Sequence, residues 1–187
     1  MTEIDNKYKH MKHIIAFAGS NSKNSINKQL VIYTSGLIKN NQVDILDLND
    51  FELPLFGVDL EAKIGGQPAN AHKFLEHIKT ADGIIISLAE HNGAYTAVFK
   101  NLLDWMSRIE GKTFFGKPML LMATSNGGRG GASVLAIAKD RFPRHDANIV
   151  DVFSLPFFSK NLLEGKIVDE ELDSQLKNSI VKFQNVL

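Results

Sequence analysis

His13-Ile14-Ile15-Ala16-Phe17-Ala18-Gly19-Ser20-Asn21-Ser22-Lys23-Asn24-Ser25-Ile26-Asn27 is an apolar run that breaks at one glycine into hydroxyls and amides just before a helical period begins. That succession reads as strand, loop, helix. A helix N-terminus carries partial positive charge and N–H groups with no intrahelical partner, so an anion held there gains both field and hydrogen bonds. Ser20, Ser22 and Ser25 add hydroxyl donors, Asn27 adds an amide, and Ile26 marks the helix start. A helix cap requires one such residue, and this loop supplies several, which favours anion binding over capping alone. Gly19 is its only glycine, so the loop matches neither the G-x-G-x-x-G of dinucleotide sites nor the G-K-[ST] of a P-loop. A phosphomonoester is the anion that fits.

Outward from this loop, short apolar runs alternate with helix-period segments. Strands are expected near 13–18, 43–48, 83–88, 118–124 and 148–153. Ile84-Ile85-Ile86 and Met119-Leu120-Leu121-Met122 are apolar on both faces, as strands covered by helices on each side must be. Ile26, Leu30, Tyr33 and Leu37 form one helical stripe, and Leu172, Leu176, Ile180 and Phe183 another. The pattern predicts a three-layer, doubly wound α/β domain with a five-stranded parallel sheet of order 2-1-3-4-5. Its ligand crevice then lies at the switch point, outside the carboxyl ends of the first and third strands. With no linker, repeat or low-complexity stretch, residues 1–187 read as a single domain, with 1–11 as a frayed tail.

The composition narrows the chemistry. At 187 residues, with 44% hydrophobic and 22% charged residues, the chain is globular in character. Lysine plus arginine and aspartate plus glutamate both total 21, so no global field recruits nucleic acid or an anionic membrane. Cysteine is absent, which removes disulfides, thiol nucleophiles and cysteine metal sites and accords with a reducing cytoplasm. No apolar span or leader is apparent. No metal site is expected, because none of the six histidines sits in a ligand motif.

Two further loops end apolar strands: Ala89-Glu90-His91-Asn92-Gly93-Ala94-Tyr95, and Ser125-Asn126-Gly127-Gly128-Arg129-Gly130-Gly131. Such small, glycine-bearing loops let backbone amides approach a flat ring, which makes FMN the phosphomonoester of choice. The expected cofactor contacts are Ser20, Ser22, Ser25, Ile26, Asn27, Ala89, Glu90, His91, Asn92, Gly93, Ser125, Asn126, Gly127 and Gly128. No side chain is needed as a catalyst, since the flavin carries the chemistry. His91 is the one candidate proton donor, although a solvated rim histidine is the commoner case. The bland reading of Asn92-Gly93 is a tight turn, and that of the last loop is a helix-capping turn. Arg129 is a candidate for a dinucleotide phosphate.

From Lys12 to Val152 the chain resembles the NADPH-dependent FMN reductases, a flavodoxin-like family that includes quinone, azo and chromate reductases. The matching residues are Gly19-Ser20 with Ser25-x-Asn27, Pro54-Leu55-Phe56 with Asp59-Leu60, Glu90-x-Asn92-Gly93, Lys100-Asn101 with Asp104-Trp105, and Gly116-Lys117-Pro118. The departures are Ser22 in place of the family's arginine, Ala89 in place of proline and His91 in place of tyrosine. Without that arginine the phosphate relies on amides, hydroxyls and Lys23. The resemblance implies an FMN-dependent NAD(P)H oxidoreductase. Hydride would pass from nicotinamide to flavin N5 and then to a quinone, azo, metal-oxyanion or flavin acceptor, in ping-pong order. Two other readings use the same residues: a flavodoxin-type electron carrier, and a binding module that has lost flavin.

The segment 95–109 is apolar on two stripes, Val98, Leu102, Trp105 and Ile109 beside Phe99, Leu103 and Met106. A helix on a sheet needs one stripe, so the excess predicts a subunit interface, the alternative being burial under the loop at 51–70, and the resemblance implies a homodimer or homotetramer. Lys100, Asp104 and Arg108 on the same helix read as surface ion pairs.

Overall fold

Among the described residues, seven strands and six α-helices come before the last hairpin and helix. The computed structural model describes residues 11–187, and the tail expected at 1–11 falls outside them except for exposed Met11. In chain order the elements are β1 (His13–Gly19), α1 (Ile26–Leu37), β2 (Gln42–Leu46), a 3-10 turn (Leu48–Phe51), α2 (Val58–Ile64), α3 (Ala69–Thr80) and β3 (Gly83–Leu88). Next come the two-residue strands β4 (Glu90–His91) and β5 (Ala94–Tyr95), then α4 (Ala97–Ile109), β6 (Pro118–Thr124), α5 (Ala132–Arg141) and β7 (Asn148–Leu155). The short α6 (Phe158–Asn161), β8 (Leu162–Leu163), β9 (Lys166–Ile167) and α7 (Glu170–Asn185) complete the chain.

The main sheet has five strands in the order β2-β1-β3-β6-β7, all parallel, which counted within the sheet is the expected 2-1-3-4-5. Side chains alternate across it as pleating requires. Ile15, Phe17, Ile84, Ile86, Met119 and Leu121 face one layer with Phe74, Phe99, Phe114 and Phe142, from α3, α4 and the segments beyond. Ile14, Ala16, Ile85, Leu120 and Met122 face the other with Leu30 and Val31 of α1 and Leu176, Ile180 and Phe183 of α7. Strands buried on both faces are why the sequence shows unbroken apolar runs there.

Several expectations need correction. β2 ends at Leu46 rather than Leu48, because the Asp47 carboxylate accepts the Asn49 N–H and starts the 3-10 turn. The deepest line of α1 is Asn27, Leu30, Val31 and Thr34, so the predicted stripe of Ile26, Tyr33 and Leu37 lies on its flank. The hairpins β4–β5 and β8–β9 and the helix α2 were not anticipated.

The largest correction concerns α4. Phe99, Leu102, Leu103, Trp105 and Met106 are all buried within this one chain. Segment 51–68 covers the stripe that holds Trp105: its Nε1–H donates to Pro54 O at 2.7 Å, and its ring meets Phe56 edge-on at 5.0 Å. Asn101 accepts the Phe56 N–H at 2.7 Å and donates to Pro54 O at 3.0 Å. Arg108 Nε lies 3.0 Å from both Glu61 carboxylate oxygens, while Lys100 pairs with Asp104. Burial under the chain's own loop accounts for the apolar excess without a subunit face.

Candidate cofactor site

Ser25 caps α1: its Oγ accepts the Lys28 N–H at 3.2 Å and its own N–H donates to Ser22 O at 3.1 Å. Ser22 N–H in turn donates to Ser20 Oγ at 3.2 Å, which curls the loop over the helix end. The first turn of α1 holds no acidic residue, so its positive end is not neutralised from within. Gly19 is glycine for packing: a Cβ there would stand 2.9 Å from Leu88 Cδ2 and 3.4 Å from the Phe99 ring.

Asn27 is 2% exposed and holds the crevice together. Its Oδ1 accepts from Ser87 Oγ at 2.7 Å and from the Thr124 N–H at 3.0 Å, and its Nδ2 donates to Thr124 O at 3.2 Å. One carboxamide thus ties the first turn of α1 to the ends of β3 and β6. Thr96, the cap of α4, adds a fourth tie by donating to Gly19 O at 2.8 Å. The expectation that the Asn27 side chain serves the anion therefore needs revision, since that carboxamide is committed to the strand ends.

The loop after β3 is a hairpin. Asn92 and Gly93 take φ of 51° and 77°, the left-handed pair that a two-residue turn needs. Glu90 reaches away from it to accept the Val134 N–H at 2.9 Å, while His91 is exposed. Tyr95 stacks on Phe142 with centroids 5.9 Å apart, and burial pushes its hydroxyl up to about 12.

The loop after β6 is braced from outside. Gly127 O accepts the Phe157 N–H at 3.2 Å, and Asn126 Oδ1 accepts from Ser159 Oγ at 2.6 Å. A Cβ on Gly128 would stand 2.7 Å from Phe157 Cζ, so that space is filled by the Phe157 ring and not left for a ligand. Phe157 holds φ of 47°, a conformation an aromatic residue rarely takes. Arg129 donates to Ser133 Oγ at 3.0 Å from an exposed position.

These strand ends enclose a cavity of about 230 Å³. Ser20, Ser22, Ser25, Ile26 and Asn27 line it from the first loop, Ala89, Glu90 and His91 from the second, and Ser125 and Asn126 from the third. Asn92, Gly93, Gly127 and Gly128 lie off its wall, as does Lys23. Asn24 and Thr124 line it without having been anticipated. The positioning residues Ser87, Thr96 and Thr124 carried a sequence signal: each is a hydroxyl residue at the end of an apolar strand or the start of a helix. Hydroxyls, loop amides and an unneutralised helix end form a donor set that suits a phosphate ester, without a lysine or arginine on the wall among the described residues. No metal-ligand cluster occurs among the described residues, and none of their helices is long and apolar enough to cross a membrane.

Residues 12–161 match the family of NADPH-dependent FMN reductases. Full-length relatives include a 2-hydroxy-1,4-benzoquinone reductase of Burkholderia sp, 28% identical over 91% of this chain and 93% of that protein. An NADPH:quinone oxidoreductase of Arabidopsis thaliana is 29% identical over 94% and 92%. The match to a quinone reductase of Escherichia coli, 29% identical, spans 66% of this chain and 61% of that protein. Among solved structures, FerB from Paracoccus denitrificans, a flavoenzyme NAD(P)H:(acceptor) oxidoreductase, superposes with a TM-score of 0.74 at 24% identity, over 94% of this chain and 96% of that one. At that identity the likeness establishes the flavodoxin-like fold.

Proposed function

The chain belongs to the NADPH-dependent FMN reductase family, and from that premise we propose that it is an FMN-dependent NAD(P)H oxidoreductase whose final acceptor is a quinone, azo compound, metal oxyanion or free flavin. The observation that carries this reading is the meeting of three strand ends on one cavity beside the carboxylate-free first turn of α1. Ser20, Ser22 and Ser25 hold the phosphate together with the N–H groups of Ile26 and Asn27. Backbone of Ala89, Glu90, His91, Asn92 and Gly93 runs along the pyrimidine edge, and Ser125, Asn126 and Gly127 border the ring from the third loop. Bound FMN would supply the electron exchange, taking from nicotinamide and giving to the acceptor in ping-pong order. The protein's share is binding, orientation and electrostatics, with no side chain assigned a proton transfer.

The reading treats the chain as one FMN-binding domain of the cytoplasm that works as a homodimer or homotetramer. Support for association now comes from the outer side of α4, where a groove of about 610 Å³ runs against α5. Lys100, Asp104, Asp140 and Arg141 set both signs of charge along it, an arrangement a twofold copy can complement. Sedimentation at micromolar concentration tests this, and a monomer removes it.

Titration with FMN and with riboflavin tests the phosphate assignment. FMN is expected to bind at least about tenfold more tightly, as charge-assisted hydrogen bonds require. Equal affinities would contradict it.

A further inference from the structure

The helix α5 begins without a side chain of its own to cap it. Its N-cap is Gly131, at φ 82°, and its first turn contains no acidic residue. The Val134 N–H, third in that turn, donates instead to Glu90 Oε2 at 2.9 Å, so the cap comes from another loop. The tip of the same hairpin rests on that turn, where a Cβ on Gly93 would stand 3.9 Å from Ser133 Cβ. Glu90 also lines the cavity across from Ser20, Ser22 and Ser25. Two helices therefore point their N-termini toward this region, and the chain closes one of them with its own carboxylate.

We infer that Glu90 is a positioning residue: seated on the N-terminus of α5, its carboxylate ties the hairpin 90–95 to the loop 125–131, sets the gap between them, and leaves α1 as the anion-binding helix end. The inference rests on the flavin reading of this cavity. A carboxylate on a helix N-terminus is held by both a hydrogen bond and the helix field, so the tie is stronger than a neutral cap. Its charge beside the ring opposes the gain of negative charge that accompanies flavin reduction, which lowers the reduction potential of bound FMN.

The test compares the full chain with its Glu90→Gln and Glu90→Ala variants. In the protein without FMN, exchange of the Val134 amide is expected to speed up roughly fivefold to tenfold in Glu90→Ala, the scale of a lost cap. Glu90→Gln, which keeps an oxygen for Val134, is expected to recover most of that protection. FMN affinity falls about tenfold in Glu90→Ala and is partly rescued in Glu90→Gln, while the reduction potential of bound FMN rises in Glu90→Gln because the charge is gone. Unchanged exchange in Glu90→Ala overturns the tie, whatever FMN does. Faster exchange with wild-type FMN affinity and potential reduces Glu90 to a cap and overturns its positioning role. If the wild-type chain binds no FMN while exchange still responds, the tie stands and the flavin reading fails.

Discussion

Asn27 shows how one side chain can build a binding site without facing the ligand. Only 2% of Asn27 is exposed, yet Ser87, Thr124 and the start of α1 are held at their spacing by its carboxamide. Asn27→Ala leaves the buried Thr124 N–H and Ser87 hydroxyl without their partner. We expect a loss of roughly 2–4 kcal/mol in urea unfolding, in line with unsatisfied buried groups, and weakened FMN binding with it. A loss below about 0.5 kcal/mol would show that the ties are dispensable. Gly128 makes a second case. Gly128→Ala sets a methyl 2.7 Å from the Phe157 ring and is expected to cost about 1–3 kcal/mol. In a Phe157→Ala background that cost should fall by more than half, a coupling that a double-mutant cycle reads directly. The sequence singled out Asn27 and Gly128 but not the packing and hydrogen-bonding roles the structure gives them. A residue's position after a strand is written in its neighbours, whereas its partners lie 60 to 97 residues away along the chain for Asn27.

At the scale of elements, the central strands β1, β3 and β6 were legible because burial on both faces leaves unbroken apolar runs, while the edge strands β2 and β7, only partly buried, were legible from their place between helical segments. The two-residue strands were not, since two residues carry no period. The apolar excess of α4 was legible too, and burial under 51–70 was one of its two readings, but periodicity does not choose between them: what covers a stripe is decided by where Pro54, Phe56 and Glu61 fold back. Asp82 offers a check on how β1 and β3 are joined. Its carboxylate accepts the His13 N–H at 2.9 Å, and its own N–H donates to His13 O at 2.7 Å, just ahead of the Ile14–Gly83 register. That backbone hydrogen bond, with Lys12 nearby, holds the carboxyl below the ordinary carboxylate range. A group whose folded value is depressed contributes stability above its unfolded value of about 3.9 and loses it as pH falls through the folded one. With the Asp82 side chain 42% exposed, Asp82→Ala is expected to cost under about 1 kcal/mol at neutral pH. The difference from wild type should close below about pH 4, which thermal melts across pH would show. A gap that widened in acid would contradict the assignment.

For the whole molecule, the chain's balance of 21 basic and 21 acidic residues leaves recognition to local geometry. That geometry is concentrated where β1, β3 and β6 end, as the switch point of a parallel sheet dictates. Around it the chain divides its labour: α1 keeps an open positive end, Glu90 closes that of α5, and segment 51–68 seals α4. The central claim is that FMN held in this crevice exchanges electrons with a nicotinamide. The direct measurement is the visible spectrum of the chain loaded with FMN, followed without oxygen after NADPH and then NADH are added. Bleaching of the flavin band within seconds by either nucleotide is the predicted result. A spectrum that binding perturbs but neither nucleotide bleaches would contradict the claim and leave an electron carrier in its place.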